Sequence, residues 1–556
     1  MTRKGIRLLT WFSLGSLCSF EGWAAPLSPS DRDTIQQQQR ELLQQNQMQR
    51  EELERSIAPS PRRGAALPEN TGPCFPIYHI RLAGARLLTP ERQQTLLAPY
   101  LDQCLGIKQI SQLTQDVSDW YIRNGYITSR AFLTEQDLTQ GQLTLLVMEG
   151  KLEEVRMNGQ PDRALSTTFP RLGNRILNLR DIEQGMEQIN RVRREPVQIA
   201  IQPGSEPGYS VVDLEASKEI PVLLSAGFDN SGQKSTGEEQ LNASVAINNL
   251  FGLADRWYVA GARSSAFSNS KDAQSVQAGV SMPYGYFTFD YSYSYSDYLA
   301  TIESRGYEWR STGDTQTHRL SGSWVAYRDS DIKTSLVLGM NHRSNNNYLS
   351  DVRLENSSYK LTSVLAGVNH GQKLWGGYAT LNPAYSRGVP WLGASDDGRQ
   401  AGSPKAEFNK WIVSGSYYRP LTDNISYLSS FYGQWTPDRL YGSERLTIGG
   451  ESSVRGFKEQ YLSGDKGGYW RNEVDWTLFR MPVIGAVGVV AAIDGGYLRH
   501  DKQDPYASGT LWGGAVGLTS NGKHFSSQLT VGWPLAYPDR LEPDRVSVYY
   551  RIGFVL

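Results

Sequence analysis

The residues best able to do chemistry stand apart in this chain. His79, His318, His342, His370, His500 and His524 are its six histidines. None belongs to a His-Glu-x-x-His pair, the spacing that sets two imidazoles on one helix face around zinc. No Gly-x-Ser-x-Gly elbow presents a nucleophile, and no Gly-x-x-x-x-Gly-Lys-Ser/Thr loop could cradle phosphate. The pattern predicts no catalytic residue, no metal site and no cofactor. The cluster Arg191, Arg193 and Arg194 reads as a solvated face, with contact to an acidic partner segment as the other reading. A formal net charge of -1 gives no global basic field, which argues against nucleic acid as a partner.

The cysteines carry more information once the N-terminus is read. Arg3, Lys4 and Arg7 precede an apolar run from Leu8 to Phe20 that ends near Gly22, Ala24 and Ala25, the layout of an export signal. That run is too short and too rich in Ser, Thr and Gly to span a bilayer. Cleavage near Ala25 or Pro26 removes Cys18 and leaves Cys74 and Cys104. In an exported protein such an even pair is favoured as a disulfide over two free buried thiols.

The elements around these residues fall into three regions. Asp31 to Arg55 is rich in Gln, Glu and Arg, lacks Gly and Pro, and reads as a helix that is polar nearly all round. It is either solvated, weakly paired in a coiled coil, or lodged in a polar cavity. A Pro- and Gly-bearing linker follows over 58–73. An internal repeat then opens at Ile80-Arg-Leu-Ala-Gly84 and again at Val155-Arg-Met-Asn-Gly159. The first unit, 74–150, reads as strand, helix, helix, strand, strand. Tyr78, Ile80 and Leu82 mark its first strand, Thr89-Pro90 starts a helix, and Ile110, Leu113, Val117, Trp120 and Tyr121 form a second helix's apolar stripe. Gly125 ends that helix, and strands follow at Tyr126–Leu133 and around Leu143, Leu145 and Val147. The second unit, 151–217, is fainter, with one helix carrying Ile182, Met186 and Ile189 and strands near Gln198–Gln202 and Tyr209–Leu214.

From about Pro221 the period switches to two. Phe287, Phe289, Tyr291, Tyr293 and Tyr295 alternate with Thr288, Asp290, Ser292, Ser294 and Ser296, so one face is aromatic and the other hydrophilic. The alternation recurs at Ile332–Met340, Trp411–Tyr417, Ile425–Trp435, Phe525–Trp533 and Val546–Leu556. A chain with 30 Tyr, 14 Trp and 54 Gly, yet a mean hydropathy of -0.46, has the makings of strands that face lipid on alternate residues. No apolar stretch reaches the ~20 residues of a spanning helix. Dividing the 336 residues from Pro221 to Leu556 by ~20 to 22 per strand and connection gives about sixteen strands, and the even count suits a bacterial barrel. A soluble sandwich would show a mainly aliphatic inner face and fewer strands.

At this point the chain resembles the two-partner secretion transporters of the outer membrane, the TpsB family of haemolysin, adhesin and contact-dependent inhibition toxin exporters. The resemblance covers nearly the whole mature chain. It is carried by the Cys-bracketed first repeat with Asn124-Gly-Tyr-Ile-Thr-Ser-Arg-Ala-Phe132, by Val147-Met-Glu-Gly150, and by Val454-Arg-Gly-Phe457 among Gly449, Gly450, Gly456 and Gly464. The resemblance implies α+β periplasmic POTRA domains at 74–150 and 151–217, then a transmembrane antiparallel barrel over 218–556. It also implies that the hairpin around 440–468 folds into the barrel, where Arg455 meets a wall carboxylate. The matching wall motif is Ala492-Ile-Asp-Gly-Gly496, with Asp494 as partner and Ala492 where the family usually has Phe. A guanidinium fork on a carboxylate would pin such a hairpin. The polar helix, taken as 26–57, becomes a pore plug, held by hydrated contacts each worth little. The last strand resembles an insertion signal, with Leu556 in place of the usual Phe.

The mechanism these features imply is export of a large TpsA-type exoprotein, captured in extended form by the POTRA domains and drawn outward by its own folding. Outer-membrane lipid and, during biogenesis, the barrel assembly machinery are the other expected partners, and a monomeric barrel is expected. An assembly insertase of the related barrel family is the alternative, although it usually carries more repeats and no plug. A passive porin would leave the two repeats unexplained.

Overall fold

The computed structural model describes residues 27–56, 73–265, 267–304, 306–397, 402–501 and 504–556. The expected export signal and nearly all of the linker lie outside the described residues. Helix α1 spans Pro29–Glu54, opening where the Ser28 hydroxyl accepts from the Asp31 N–H and Pro29 needs no partner for its own nitrogen. At 1.5 Å per residue its 26 residues run ~39 Å, longer than a ~30 Å hydrocarbon core.

The first α+β unit contains β1 (Cys74–Ile77), β2 (His79–Ala83), α2 (Pro90–Leu97), β3 (Gln103–Gly106), α3 (Ile107–Arg123), β4 (Arg130–Leu133) and β5 (Gln142–Met148). The sheet runs β2-β5-β4, with β2 parallel to β5 as a helical crossover requires. Ile110, Leu113, Val117 and Tyr121 of α3 pack on Leu143, Leu145 and Val147 of β5. Each such burial is worth ~1.5–3 kcal/mol before chain entropy is charged against it. The order matches the pattern read from sequence, with two differences. β1 before the sheet and β3 between the two helices form a separate ribbon, joined by the Cys74–Cys104 disulfide. The strand expected from Tyr126 begins only at Arg130, because the Tyr126 N–H returns to Tyr121 O and the Ser129 N–H to Tyr126 O, making turns.

The second unit has β6 (Lys151–Met157), α4 (Arg163–Thr168), α5 (Leu179–Asn190), β7 (Gln198–Pro203) and β8 (Tyr209–Glu215), in sheet order β6-β8-β7. Its extra helix α4 is a single capped turn and a half, started by the Asp162 carboxylate on the Ala164 N–H. The motif glycines Gly125 and Gly150 join the two units through their carbonyls, which accept from Leu179 N–H and Leu177 N–H, while Glu149 ties the first unit to itself. The Glu149 carboxylate accepts from the N–H groups of Arg86 and Leu87 and from the Tyr121 hydroxyl. The Gly125 carbonyl accepts from the Leu179 N–H, and at φ +88° Gly125 lies so near Asn178 that a Cβ would stand 2.6 Å from its Oδ1.

From Val222 to Val555 a 16-strand antiparallel barrel closes on itself, with Ser547–Val555 pairing back onto Val222–Asp229. Alternation puts Phe287, Phe289 and Tyr291, each between 42% and 53% exposed, on the outside with Trp411, Trp435, Trp470 and Trp476. Thr317, Arg343, Asn345 and Asn347 are buried on the inside. An apolar exterior around a polar interior is the inverse of a soluble barrel and fits lipid outside. Strands Tyr307–Arg328 and Ile332–Leu349 extend well beyond the length a bilayer needs, at the mouth far from the α+β units.

Candidate functional site: a lumen filled by a hairpin and a helix

A short ribbon pairing Leu446–Ile448 with Leu462–Gly464 lies inside the barrel and carries Val454, Arg455, Gly456 and Phe457 at its turn. Arg455 Nε reaches Asp494 Oδ2 at 2.6 Å and its Nη2 reaches Oδ1 at 2.6 Å, while the Arg455 backbone N–H adds a third bond at 3.1 Å. Both side chains are buried from solvent, 4% and 0% exposed. Glu473, on the neighbouring strand, accepts Arg455 Nη1 at 3.0 Å and Arg471 Nη2 at 2.7 Å. Two guanidiniums thus face two carboxylates, which leaves the buried cluster neutral.

Backbone approach explains the glycines. Gly456 sits at φ +95°, and a Cβ there would stand 2.5 Å from the Trp533 backbone. On the wall, a Cβ at Gly513 would collide with the Arg455 carbonyl oxygen, and one at Gly496 would lie 3.0 Å from Val454 Cγ2. Val454 and Phe457 are fully buried, Val454 in a cluster with Ile448, Tyr469, Leu498 and Leu511. Phe457 meets the Tyr537 ring edge-on at 6.0 Å.

Helix α1 occupies the rest of the lumen. Its first half is bonded to the hairpin, for Arg32 donates to Lys458 O at 2.7 Å, pairs with Glu459 at 3.1 Å and stacks over Tyr461, and Gln39 donates to Thr447 O at 2.8 Å. Its second half meets the wall, with Glu41 on Arg319 at 2.5 Å, Asn46 on Thr380 and Asn382, and Arg50 over Tyr418. Of the three settings left open for a polar helix, the polar cavity is the one observed. The expectation that its contacts are hydrated and weak holds for part of its length only. Asp31 is 4% exposed, accepts from Asn345 Nδ2 at 3.0 Å and from the Tyr359 hydroxyl, and lies near Glu444, itself held by Lys410 at 2.6 Å and Arg343 at 3.3 Å. Such dry polar contacts are costlier to break than exposed ones. Beside α1 a cavity of about 510 Å³ persists between Gln37, Arg40, Glu41 and the wall residues Tyr258 and Arg319.

At the near mouth α5 of the second unit docks on the barrel rim. Gln184 and Gln188 donate to Gly285 O, and the Tyr286 hydroxyl donates to Asp181. Glu187 pairs with Arg328 at 2.6 Å and with Lys333, whose Nζ also reaches Glu52 of α1 at 2.7 Å. Burial pushes the Glu187 carboxyl up, but Lys333 and Arg328 outweigh it and hold it down at about 2. The arginines read as a solvated face are engaged here, a correction that long-range contact alone explains. Arg191 bonds Ser281, Arg193 pairs with Glu219 at 3.4 Å, and Arg194 donates to Val222 O and Leu556 O.

Sequence reading paired Arg455 with Asp494 by resemblance, within a motif that includes Gly496, but missed Glu473, Arg471 and Gly513. Those lie on strands whose register no local pattern reveals. It likewise gave no sign of the Glu52–Lys333–Glu187 junction.

Comparison with known proteins follows the same lines. A family model described as haemolysin secretion/activation protein ShlB/FhaC/HecB matches residues 208–520, a ShlB-type POTRA domain matches 75–150, and a further POTRA domain matches 151–203. The outer membrane transporter CdiB of Escherichia coli is 55% identical over 98% of this chain and 94% of its own. The hemolysin transporter protein HpmB of Proteus mirabilis is 30% identical over 93% and 91%. Among solved structures, CdiB from Escherichia coli superposes with a TM-score of 0.93 at 54% identity, covering 96% of this chain and 100% of that one. CdiB from Acinetobacter baumannii gives 0.76 at 25% identity, covering 95% and 99%.

Proposed function

The chain belongs to the haemolysin secretion and activation family of ShlB, FhaC and HecB, and from that premise we propose how its lumen serves export. It is an outer-membrane transporter with periplasmic POTRA domains that secretes a partner exoprotein by two-partner secretion. The insertase alternative is not favoured.

In our reading the POTRA domains, the two α+β units, take up an extended segment of a TpsA-type partner by strand addition or in apolar grooves. Helix α1 then vacates the lumen, and the partner passes outward beside a hairpin pinned by Arg455 and Asp494. The observation that carries this reading is a closed barrel whose lumen holds a polar helix bonded to hairpin and wall by side chains, with two POTRA domains at one mouth. Identity to CdiB of 55%, against 30% to HpmB, favours a partner of the class served by CdiB over a haemolysin. The outward aromatic face takes lipid, the barrel assembly machinery inserts it, and a single barrel suffices for transport.

The test is co-expression with candidate large secreted partners in a heterologous bacterium, scoring partner at the cell surface or in the medium. Surface partner that needs the intact chain, and falls when both POTRA domains are deleted at equal barrel levels, supports the reading. Absent export together with misassembly of other barrels when this protein is missing would turn the assignment to the insertase.

A further inference from the structure

We propose that Lys333 is a shared counter-ion for which the plug helix and the second POTRA domain compete, so that tighter seating of the POTRA helix α5 on the rim loosens the plug. The proposal rests on the plug-release reading above and adds to it a residue that positions the release.

Three separate bodies meet at this point. Glu52 comes from the last turn of α1, Glu187 from α5, and Lys333 and Arg328 flank the rim turn between strands Tyr307–Arg328 and Ile332–Leu349. Lys333 Nζ touches both carboxylates, and its side chain is only 14% exposed. Glu183, also on α5, pairs with Arg180 at 2.6 Å and lies 3.6 Å from Arg328. Arg180, Arg328 and Lys333 therefore balance Glu52, Glu183 and Glu187 when plug and POTRA helix are both seated. If either Glu52 or α5 departs, one positive charge is left over at the rim. Neighbouring Lys373 is itself a cation and cannot offset that charge; it donates to the plug's Ser56 at 2.7 Å and faces Asp331.

The sign of the coupling follows from that sum. Two like charges on opposite sides of one ammonium repel each other, so removing one strengthens the hold on the other. Glu187 has the stronger claim, since Arg328 supports it from the same rim at 2.6 Å while among the described residues Glu52 forms an ion pair with Lys333 alone. A POTRA helix pressed onto the rim thus draws Lys333 toward itself, and the plug's last turn loses its ion pair to the wall. Cargo that loads the POTRA domain would then unlock the pore without touching the plug.

The experiment places spin labels at Gln47→Cys on the exposed side of α1 and Trp375→Cys on an exposed barrel turn, and reads the ratio of released to resident plug from inter-label distances in the full-length protein in lipid, without cargo. An Arg319→Gln background removes the Glu41 pair at 2.5 Å and so weakens the resident state, bringing the released one into the measurable range. Glu187→Gln should lower the released-to-resident ratio roughly 3- to 10-fold, the screened repulsion of two partly exposed carboxylates expressed as a population ratio. Glu52→Gln should raise it, and Glu187→Gln should have no further effect in a Glu52→Gln or Lys333→Met background. All variants are compared only where the barrel shows wild-type heat-modifiable mobility, and Glu187→Ala stands in if Glu187→Gln fails to assemble. A ratio that rises or stays unchanged with Glu187→Gln overturns the competition. If the ratio shifts as stated in a protein that exports no candidate partner, the transporter reading fails while the shared cation stands. Export without the shift retires the shared cation alone.

Discussion

Replacing Arg455 by Ala should unseat the lumen hairpin while leaving the barrel closed. The side chain makes two 2.6 Å bonds to Asp494 and one 3.0 Å contact to Glu473, all away from water. Its loss leaves two buried carboxylates with Arg471 as their remaining cation, and breaking a buried pair in this way costs about 3–5 kcal/mol. Against that, Val454 and Phe457 still retain ~1.5–3 kcal/mol each of apolar burial, so the hairpin should shift from fixed to partly detached rather than leave altogether. The strand ladder does not depend on Arg455, whose bonds to the wall run through its side chain and one N–H and not through a strand pairing. Arg32 and Gln39 of the plug bond to this same hairpin, so plug retention should fall with it. Hydrogen exchange across 446–464 should accelerate by roughly two to four orders of magnitude, the exchange equivalent of that energy. Partner export at equal barrel level should drop with it. Wild-type protection of 446–464 in Arg455→Ala would refute the reasoning, because it would mean the apolar contacts alone seat the hairpin.

Three further outcomes are expected. Gly513→Ala should displace the hairpin nearly as far as Arg455→Ala does, because the new Cβ meets a backbone carbonyl that has no room to move, and the same exchange measurement reads it. Cys74→Ser with Cys104→Ser should destabilise the first POTRA domain by about 2–4 kcal/mol through freeing the loop between them, seen as faster proteolysis at β1 and β3 in the full chain. Glu187 is held at about 2, below its ordinary 4.5, so its contribution to seating the second POTRA domain is complete above about 4.5 and lost as pH falls from there toward 2. Distances between labels on α5 and the rim should therefore stay constant from about pH 7 to about 5 and lengthen only below that.

The barrel was legible because lipid on one side and a polar lumen on the other impose a strict alternation, clearest at Phe287–Ser296. The first POTRA domain was legible through the α3 stripe of Ile110, Leu113, Val117 and Tyr121, which a sheet must cover. α4 was not, since six residues hold too little periodicity to separate a helix from a turn. The candidate site was legible only in part. Arg455, Asp494 and Gly496 stand in motifs, but Glu473 and Gly513 act through strand register, and register is set by pairings spread along the whole barrel. The triple arginine was misread for the same reason, as its partners Glu219, Ser281 and Leu556 are distant in sequence.

The seam between Ser547–Val555 and Val222–Asp229 joins the two ends of the barrel segment, and it is made by five residue pairs, Arg551↔Asp229 to Val555↔Ser225. No strand near the middle can close the cylinder early. The first barrel strand must wait, one edge unpaired, until the last residues of the chain have been delivered. Among the strand pairings of the barrel this one has the largest sequence separation, so closure is expected to come late in maturation, with the interval before it the one most open to wrong pairing. The plug must also be in place before that interval ends or thread in afterwards, so the order of these two events sets whether a newly made pore is ever briefly open.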